Sequence, residues 1–353
     1  MKPSTRVSPD FRRVWPVSLC TRWKPDEKKL RRHRFSVARG HNIRMNLRQR
    51  LLVLAGALVA LAACAPAGVN ESVQPQGHAT PVPAAVSAGT TTVPRQLTVD
   101  GTKRTYLAVG SSVRHKGIPL LIVLHGRGVT AQLESVRTGF LPYAQRGQVN
   151  LVYPLGIGES WNAGHGCCGV AAKEGVPDPR FLTAVATDAA RYFESDPRRI
   201  YLAGYSNGAK LSFEEVCAHP GVFAGLATYG AVPLATCGGK PISALLAGGT
   251  DDPVVRAEHF SPTATIALNQ AVTQWQTRNG CHGPGSVRHT GRLTLTSWTG
   301  CHAGTELSSA VYSGLSHLWP TAAQAAPPYT TYVGEDAAAA TIMWNFLSRQ
   351  RLP

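Results

Sequence analysis

The chain has 353 residues, 43% of them hydrophobic, which is enough to bury one large core or two small ones. Its formal charge of +16 is unevenly spread: residues 1–50 hold 15 Lys/Arg against 3 Asp/Glu, and the remainder carries only +4. That basic front has no apolar period, no zinc-ligand set and no interleaved aromatics, which argues against a nucleic-acid arm and for an extension of doubtful translation over residues 1–44.

Met45-Asn46-Leu47-Arg48-Gln49-Arg50 resembles the charged start of a secretory signal, and the apolar stretch 51–63 follows it. That stretch is too short to span a bilayer as a helix. It ends in Leu61-Ala62-Ala63-Cys64, which resembles a lipobox, the site where bacterial lipoproteins are acylated on cysteine; a plain cleaved signal is the blander alternative. Residues 65–94, rich in Ala, Pro, Gly, Val, Ser and Thr, predict a flexible spacer. A catalytic domain over 95–350 would then be secreted, or tethered by Cys64 to the outer face of a membrane.

Residues 96–107 alternate around Asp100-Gly101, a hairpin signal. Residues 119–124 form a continuous apolar run, the pattern of a strand buried on both faces, and lead into His125-Gly126-Arg127-Gly128. Further strands are predicted at 150–153, 199–203, 224–229, 243–247 and 308–312. Helices are predicted at 181–193, 210–218, 263–278 and 336–348. This alternation implies an α/β fold: a mostly parallel central sheet, helices on both faces, and an antiparallel N-terminal hairpin at one edge.

Six cysteines remain after Cys20 and Cys64 are set aside, an even number that suggests disulfides in an oxidising compartment. Cys281 and Cys301 flank one apolar segment and form a natural local pair. Adjacent Cys167 and Cys168 are expected to reach Cys217 and Cys237, in an order that spacing leaves open. With no Cys-x-x-Cys or His-x-x-x-His, a zinc site is not expected.

Gly204-Tyr205-Ser206-Asn207-Gly208 joins a predicted strand to a predicted helix, and a sharp turn there would lift the Ser206 hydroxyl above the sheet. A serine needs a base and an acid behind it. Gly249-Thr250-Asp251-Asp252-Pro253 leaves a buried strand; Asp252 is the chosen orienting acid and Asp251 the reserve. Of the histidines that follow, His317 alone lies between a strong strand and the final helix, which makes it the candidate base. The N–H groups of Asn207 and Arg127 are the candidate oxyanion donors. Trp161 and Trp319 could wall the substrate pocket or simply fill the core.

The order Ser206, Asp252, His317 matches that of α/β-hydrolases, and the spacings leave no room for a large cap domain. Val123-Leu124-His125-Gly126, Trp161-Asn162-Ala163 with Cys167-Cys168-Gly169, the Ser206 pentapeptide, Gly249-Thr250-Asp251-Asp252-Pro253-Val254 and Gly314-Leu315-Ser316-His317-Leu318-Trp319-Pro320 together resemble the polyhydroxybutyrate depolymerase and feruloyl esterase family, including the esterase lipoproteins of mycobacteria and their relatives. The resemblance spans roughly residues 92–350. It implies a serine esterase that forms an acyl-enzyme on Ser206 and uses no metal or cofactor. The family's Gly-Gly-Gly-His reads Gly-Leu-Ser-His here, and its acidic pair after the double cysteine is reduced to Asp178. An acyltransferase, a peptidase or a lipid- or glycan-binding lipoprotein without catalysis are the rival readings.

Overall fold

The computed structural model of the chain describes residues 89–325 and 327–353. The basic extension, the signal with Cys64, and the spacer up to residue 88 lie outside the described residues.

The Asp100-Gly101 turn joins β1 (Thr90–Val99) to β2 (Thr102–Ser111), which pair antiparallel along their full length. Both turn residues have positive φ, 49° and 77°, as tight hairpins require. The strand starts at Thr90, inside the predicted spacer, because Thr90 to Pro94 pair with Ser111 to Leu107. Pro94 is tolerated because β1 is an edge strand.

The chain continues through β3 (Leu120–Leu124), α1 (Ala131–Arg137), α2 (Leu141–Gln145), β4 (Asn150–Pro154), α3 (Gly169–Lys173), α4 (Asp178–Phe193), β5 (Ile200–Tyr205), α5 (Asn207–Ala218) and β6 (Gly225–Tyr229). It then forms β7 (Ser243–Gly249), α6 (Pro253–Glu258), α7 (Ala264–Asn279), β8 (Ser286–Thr290), β9 (Leu293–Trp298), β10 (Leu307–Tyr312), β11 (Trp319–Thr321), β12 (Thr330–Tyr332) and α8 (Ala339–Leu347). Ten strands form one sheet in the order β1-β2-β4-β3-β5-β6-β7-β10-β9-β8. From β4 to β10 the neighbours are parallel, and an antiparallel hairpin closes each edge.

Every residue of β3, β4, β5, β6 and β7 is buried, as an apolar run covered on both faces should be. One core packs α4, α5 and α7 on one face, through residues such as Phe181, Leu211 and Trp275. The other packs α1, α2 and α8 on the opposite face, through Ala131, Ala144 and Met343. The final helix starts at Ala339 rather than at 336. Glu335–Ala337 forms a 3-10 turn, and Ala338 is extended before α8 begins.

The cysteine pairing differs from expectation. Cys167 bonds Cys168, Cys217 bonds Cys237, and Cys281 bonds Cys301 as predicted. Lys210 Nζ lies 3.6 Å and 3.8 Å from the Cys167 and Cys168 sulfurs. Cys217 stands at the far end of the same helix, where Cys237 comes within 5.8 Å Cα to Cα and takes it as partner.

Candidate active site

The loops that leave the carboxyl ends of β3, β5, β7 and β10 carry His125 to Gly128, Ser206, Asp252 and His317 respectively. In a parallel sheet these ends lie on one rim, so chain-distant groups meet there.

Ser206 sits between β5 and α5 with φ 54° and ψ −118°, a strained conformation for a non-glycine residue. The turn is tight enough that a Cβ on Gly204 would lie 2.6 Å from the Gly208 carbonyl carbon, and one on Gly208 would strike the carbonyls of Leu124 and His125. Both glycines are therefore required by close backbone approach. Ser206 N–H donates to Tyr229 O at 2.9 Å, which fixes the elbow to the next strand.

His317 Nε2 lies 2.8 Å from Ser206 Oγ, and His317 Nδ1 lies 2.7 Å from Asp252 Oδ2. The imidazole side chain is 19% exposed, whereas the Asp252 side chain is fully buried. With Nδ1–H donating to the carboxylate, Nε2 is left free to accept the serine proton. Asp252 Oδ1 is occupied otherwise: it caps α6 by accepting from Val254 N and Val255 N. Asp251, the reserve candidate, is exposed, and its carboxylate accepts from the neighbouring Thr250 hydroxyl rather than from His317.

The acid and base loops are stitched together by their backbones. Asp251 N–H donates to Leu315 O at 3.0 Å, Thr250 N–H to Tyr312 O at 3.0 Å, and Gly314 N–H to Thr250 Oγ1 at 2.8 Å. The four remaining downstream histidines are placed otherwise: His259 ends α6, His289 faces Thr294 on the edge hairpin, and His282 and His302 meet edge to face beside the Cys281–Cys301 bond.

Asn207 is the first residue of α5, where backbone N–H groups lack helical acceptors. Arg127 follows Gly126, whose Cα is so close to the elbow that a Cβ there would lie 3.5 Å from Ser206 Cβ. The loop is held by Gly128 N–H to Glu159 O at 2.8 Å. His125 braces it from below: its Nε2 accepts from Gly156 N at 3.0 Å, so Nδ1 carries the proton given to Gly126 O at 2.7 Å. Burial pushes this imidazole down to about 4.

Trp161 and Trp319 are each 0% exposed, which corrects the idea of a pocket wall: neither has surface to offer a substrate. Trp161 is instead a bolt. Its indole N–H donates to His125 O at 2.9 Å, and the Asn207 side chain bonds both its backbone N–H and its carbonyl. Trp319 donates to Thr138 O and packs on Phe140, Tyr205 and Tyr229. Asp178 accepts from Arg104 and from Asn162 N–H, both at 2.7 Å, and so anchors the segment that follows Trp161. Burial raises this carboxyl and Arg104 opposes the rise. Among the described residues, no group of three or more His, Cys, Asp or Glu could hold a metal ion.

No family model matches the chain. Over 248 residues it is 28% identical to the protein of Nocardia uniformis subsp. tsuyamanensis described as "Putative esterase NocK", a match that covers 60% of this chain and 70% of that one. Among solved structures it is similar to an acetyl xylan esterase from Aspergillus awamori, with a TM-score of 0.51 at 12% identity, covering 64% of this chain and 94% of that one. The chain thus has the α/β-hydrolase fold and is an enzyme of the serine-hydrolase kind.

Proposed function

We propose that the protein is a carboxylic ester hydrolase that works through an acyl-enzyme on Ser206. The observation that carries this reading is the continuous chain Ser206 Oγ to His317 Nε2, 2.8 Å, and His317 Nδ1 to Asp252 Oδ2, 2.7 Å. His317 takes the Ser206 proton as the hydroxyl attacks the acyl carbonyl, and Asp252 holds the imidazolium that results. The negative oxygen accepts from the N–H groups of Asn207 and Arg127. His317 then returns the proton to the departing alcohol, and a water molecule repeats the sequence in reverse, freeing the acid and the serine.

The likeness to an esterase over 248 residues supports ester rather than amide substrates. The motif set at Trp161, Cys167-Cys168 and His317 supports a polyhydroxybutyrate- or feruloyl-type ester as the substrate class. The lipobox-like Leu61-Ala62-Ala63-Cys64 and the three disulfides support an envelope-tethered or secreted enzyme, whose Cys64 lipid would anchor it to a membrane.

A panel of chromogenic acetyl, butyryl, hydroxybutyryl-oligomer and feruloyl esters, run beside fluorophosphonate labelling, tests the reading. Hydrolysis and labelling by the wild type, both lost in Ser206→Ala, are expected. Ester turnover that survives in Ser206→Ala would refute it.

A further inference from the structure

Tyr205 immediately precedes the serine, yet its side chain is buried in the core, where it touches the loops that follow β3 and β10. Its ring packs against the loop after β3, since a Cβ on Gly126 would lie 2.7 Å from Tyr205 Cδ1. On another side it meets Gly230, where a Cβ would lie 3.5 Å from Tyr205 Cε2 and 3.1 Å from His317 Cε1. Its hydroxyl donates to the backbone carbonyl of His317 at 2.6 Å, and its ring centroid is 5.2 Å from the imidazole. Below the ring lies the Arg137 guanidinium, 4.5 Å from the centroid, itself paired with Glu134 in a site with no solvent exposure.

We propose that Tyr205 is a positioning residue that sets the height and orientation of His317 over Ser206 while seating the Gly126 loop. A base must lie within hydrogen-bond reach of the proton it removes, and a shift of an ångström is costly. The loop carrying His317 follows β10 and is held at its start by the Thr250 hydroxyl, which accepts from Gly314 N–H, and by Asp251 N–H, which donates to Leu315 O. The Tyr205 hydroxyl holds the histidine's own carbonyl from outside the loop, while the N–H of the same peptide, on Leu318, donates within the loop to Ser316 O at 2.9 Å. The neighbouring Tyr229 hydroxyl reaches Ser316 O only at 3.4 Å. Burial pushes the Tyr205 hydroxyl up to about 12, so it keeps its proton near neutral pH.

The inference rests on His317 acting as the base, and the test separates the two. Full-length wild type, Tyr205→Phe and Tyr201→Phe are compared by kcat and KM on a chromogenic butyryl ester, by the rate of fluorophosphonate labelling at Ser206, and by Tm. Tyr201 is the control because its buried hydroxyl donates to Gln350 O at 2.9 Å, near the end of β5 opposite the elbow. Tyr205→Phe should lower kcat and the labelling rate together by about tenfold with KM nearly unchanged. Tyr201→Phe should lower Tm comparably and leave kcat intact. Full kcat in Tyr205→Phe, or kcat losses in both variants that merely track Tm, would overturn the proposal. A wild type that neither labels at Ser206 nor turns over any ester would remove the hydrolase reading, and this inference with it.

Discussion

The two oxygens of Asp252 are divided between two duties: Oδ2 faces His317 Nδ1 at 2.7 Å, while Oδ1 caps α6 through Val254 and Val255. Charge and cap can therefore be removed separately. Asp252→Asn keeps an oxygen for the helix but no charge for the imidazolium, so kcat should fall about 10⁴-fold with little loss of Tm. Asp252→Ala should add a stability loss of about 1 kcal/mol for the missing cap. Activity and melting of the two variants check this, and an Asn variant within about tenfold of wild type would sink the assignment.

Gly204 and Gly208 lie where backbone meets backbone, and a methyl group at either has no flexible neighbour to push aside. Gly204→Ala should cost about 1–3 kcal/mol and displace Ser206 enough to remove most activity. Urea unfolding with labelling of the serine measures both effects. An unperturbed alanine variant would mean that the turn is looser than described.

His125 is neutral in the fold because burial depresses it from 6.5 to about 4, and its Nε2 must stay unprotonated to accept from Gly156. A group whose folded pKa lies below its unfolded value binds fewer protons when folded, so its contribution is complete above about pH 6.5. It is lost as pH falls through the window between 6.5 and 4, about 3 kcal/mol in total. His125→Gln can keep an acceptor for Gly156 N–H without titrating, so its unfolding free energy should vary less over that window. Parallel pH curves for the two proteins would contradict this account.

Glu134 and Arg137 form an ion pair one helical turn apart, and neither side chain has any exposure. Burial raises the Glu134 carboxyl, and the guanidinium pulls it back. Glu134→Gln strands a buried cation and should cost about 3–5 kcal/mol. Adding Arg137→Met should recover part of that loss, and a double-mutant cycle measures the coupling. Additive losses would show that the two charges do not support each other.

The strands of the parallel sheet were readable because burial on both faces demands continuous apolar runs, as in Leu120–Leu124 and Ile200–Tyr205. The elbow was readable for a different reason: backbone crowding admits only glycine at 204 and 208. The order of Ser206, Asp252 and His317 also lay in the chain, and the structure brings the three within hydrogen-bond distance.

What stayed hidden carries no signal in its own local pattern. The β8 strand, Ser-Val-Arg-His-Thr, lies exposed at the sheet edge and has no apolar face to announce it. Tryptophans at 161 and 319 carry no mark that separates a pocket wall from a core. Arg137, on a polar-looking segment, gave no sign that it lies beneath Tyr205. Nothing in the spacing of Cys167 and Cys168 distinguishes a bond between the two from bonds to separate partners.

Leu124 pairs with Gly204, and Tyr205 with Tyr229, in one parallel register. Side chains alternate along a strand, so sliding β5 by a single position would turn Tyr205 to the opposite face and carry Ser206 off the rim. The chemistry is thus quantised by the ladder: loops can lengthen or shorten around the centre, but a residue inserted within β5 would dismantle it.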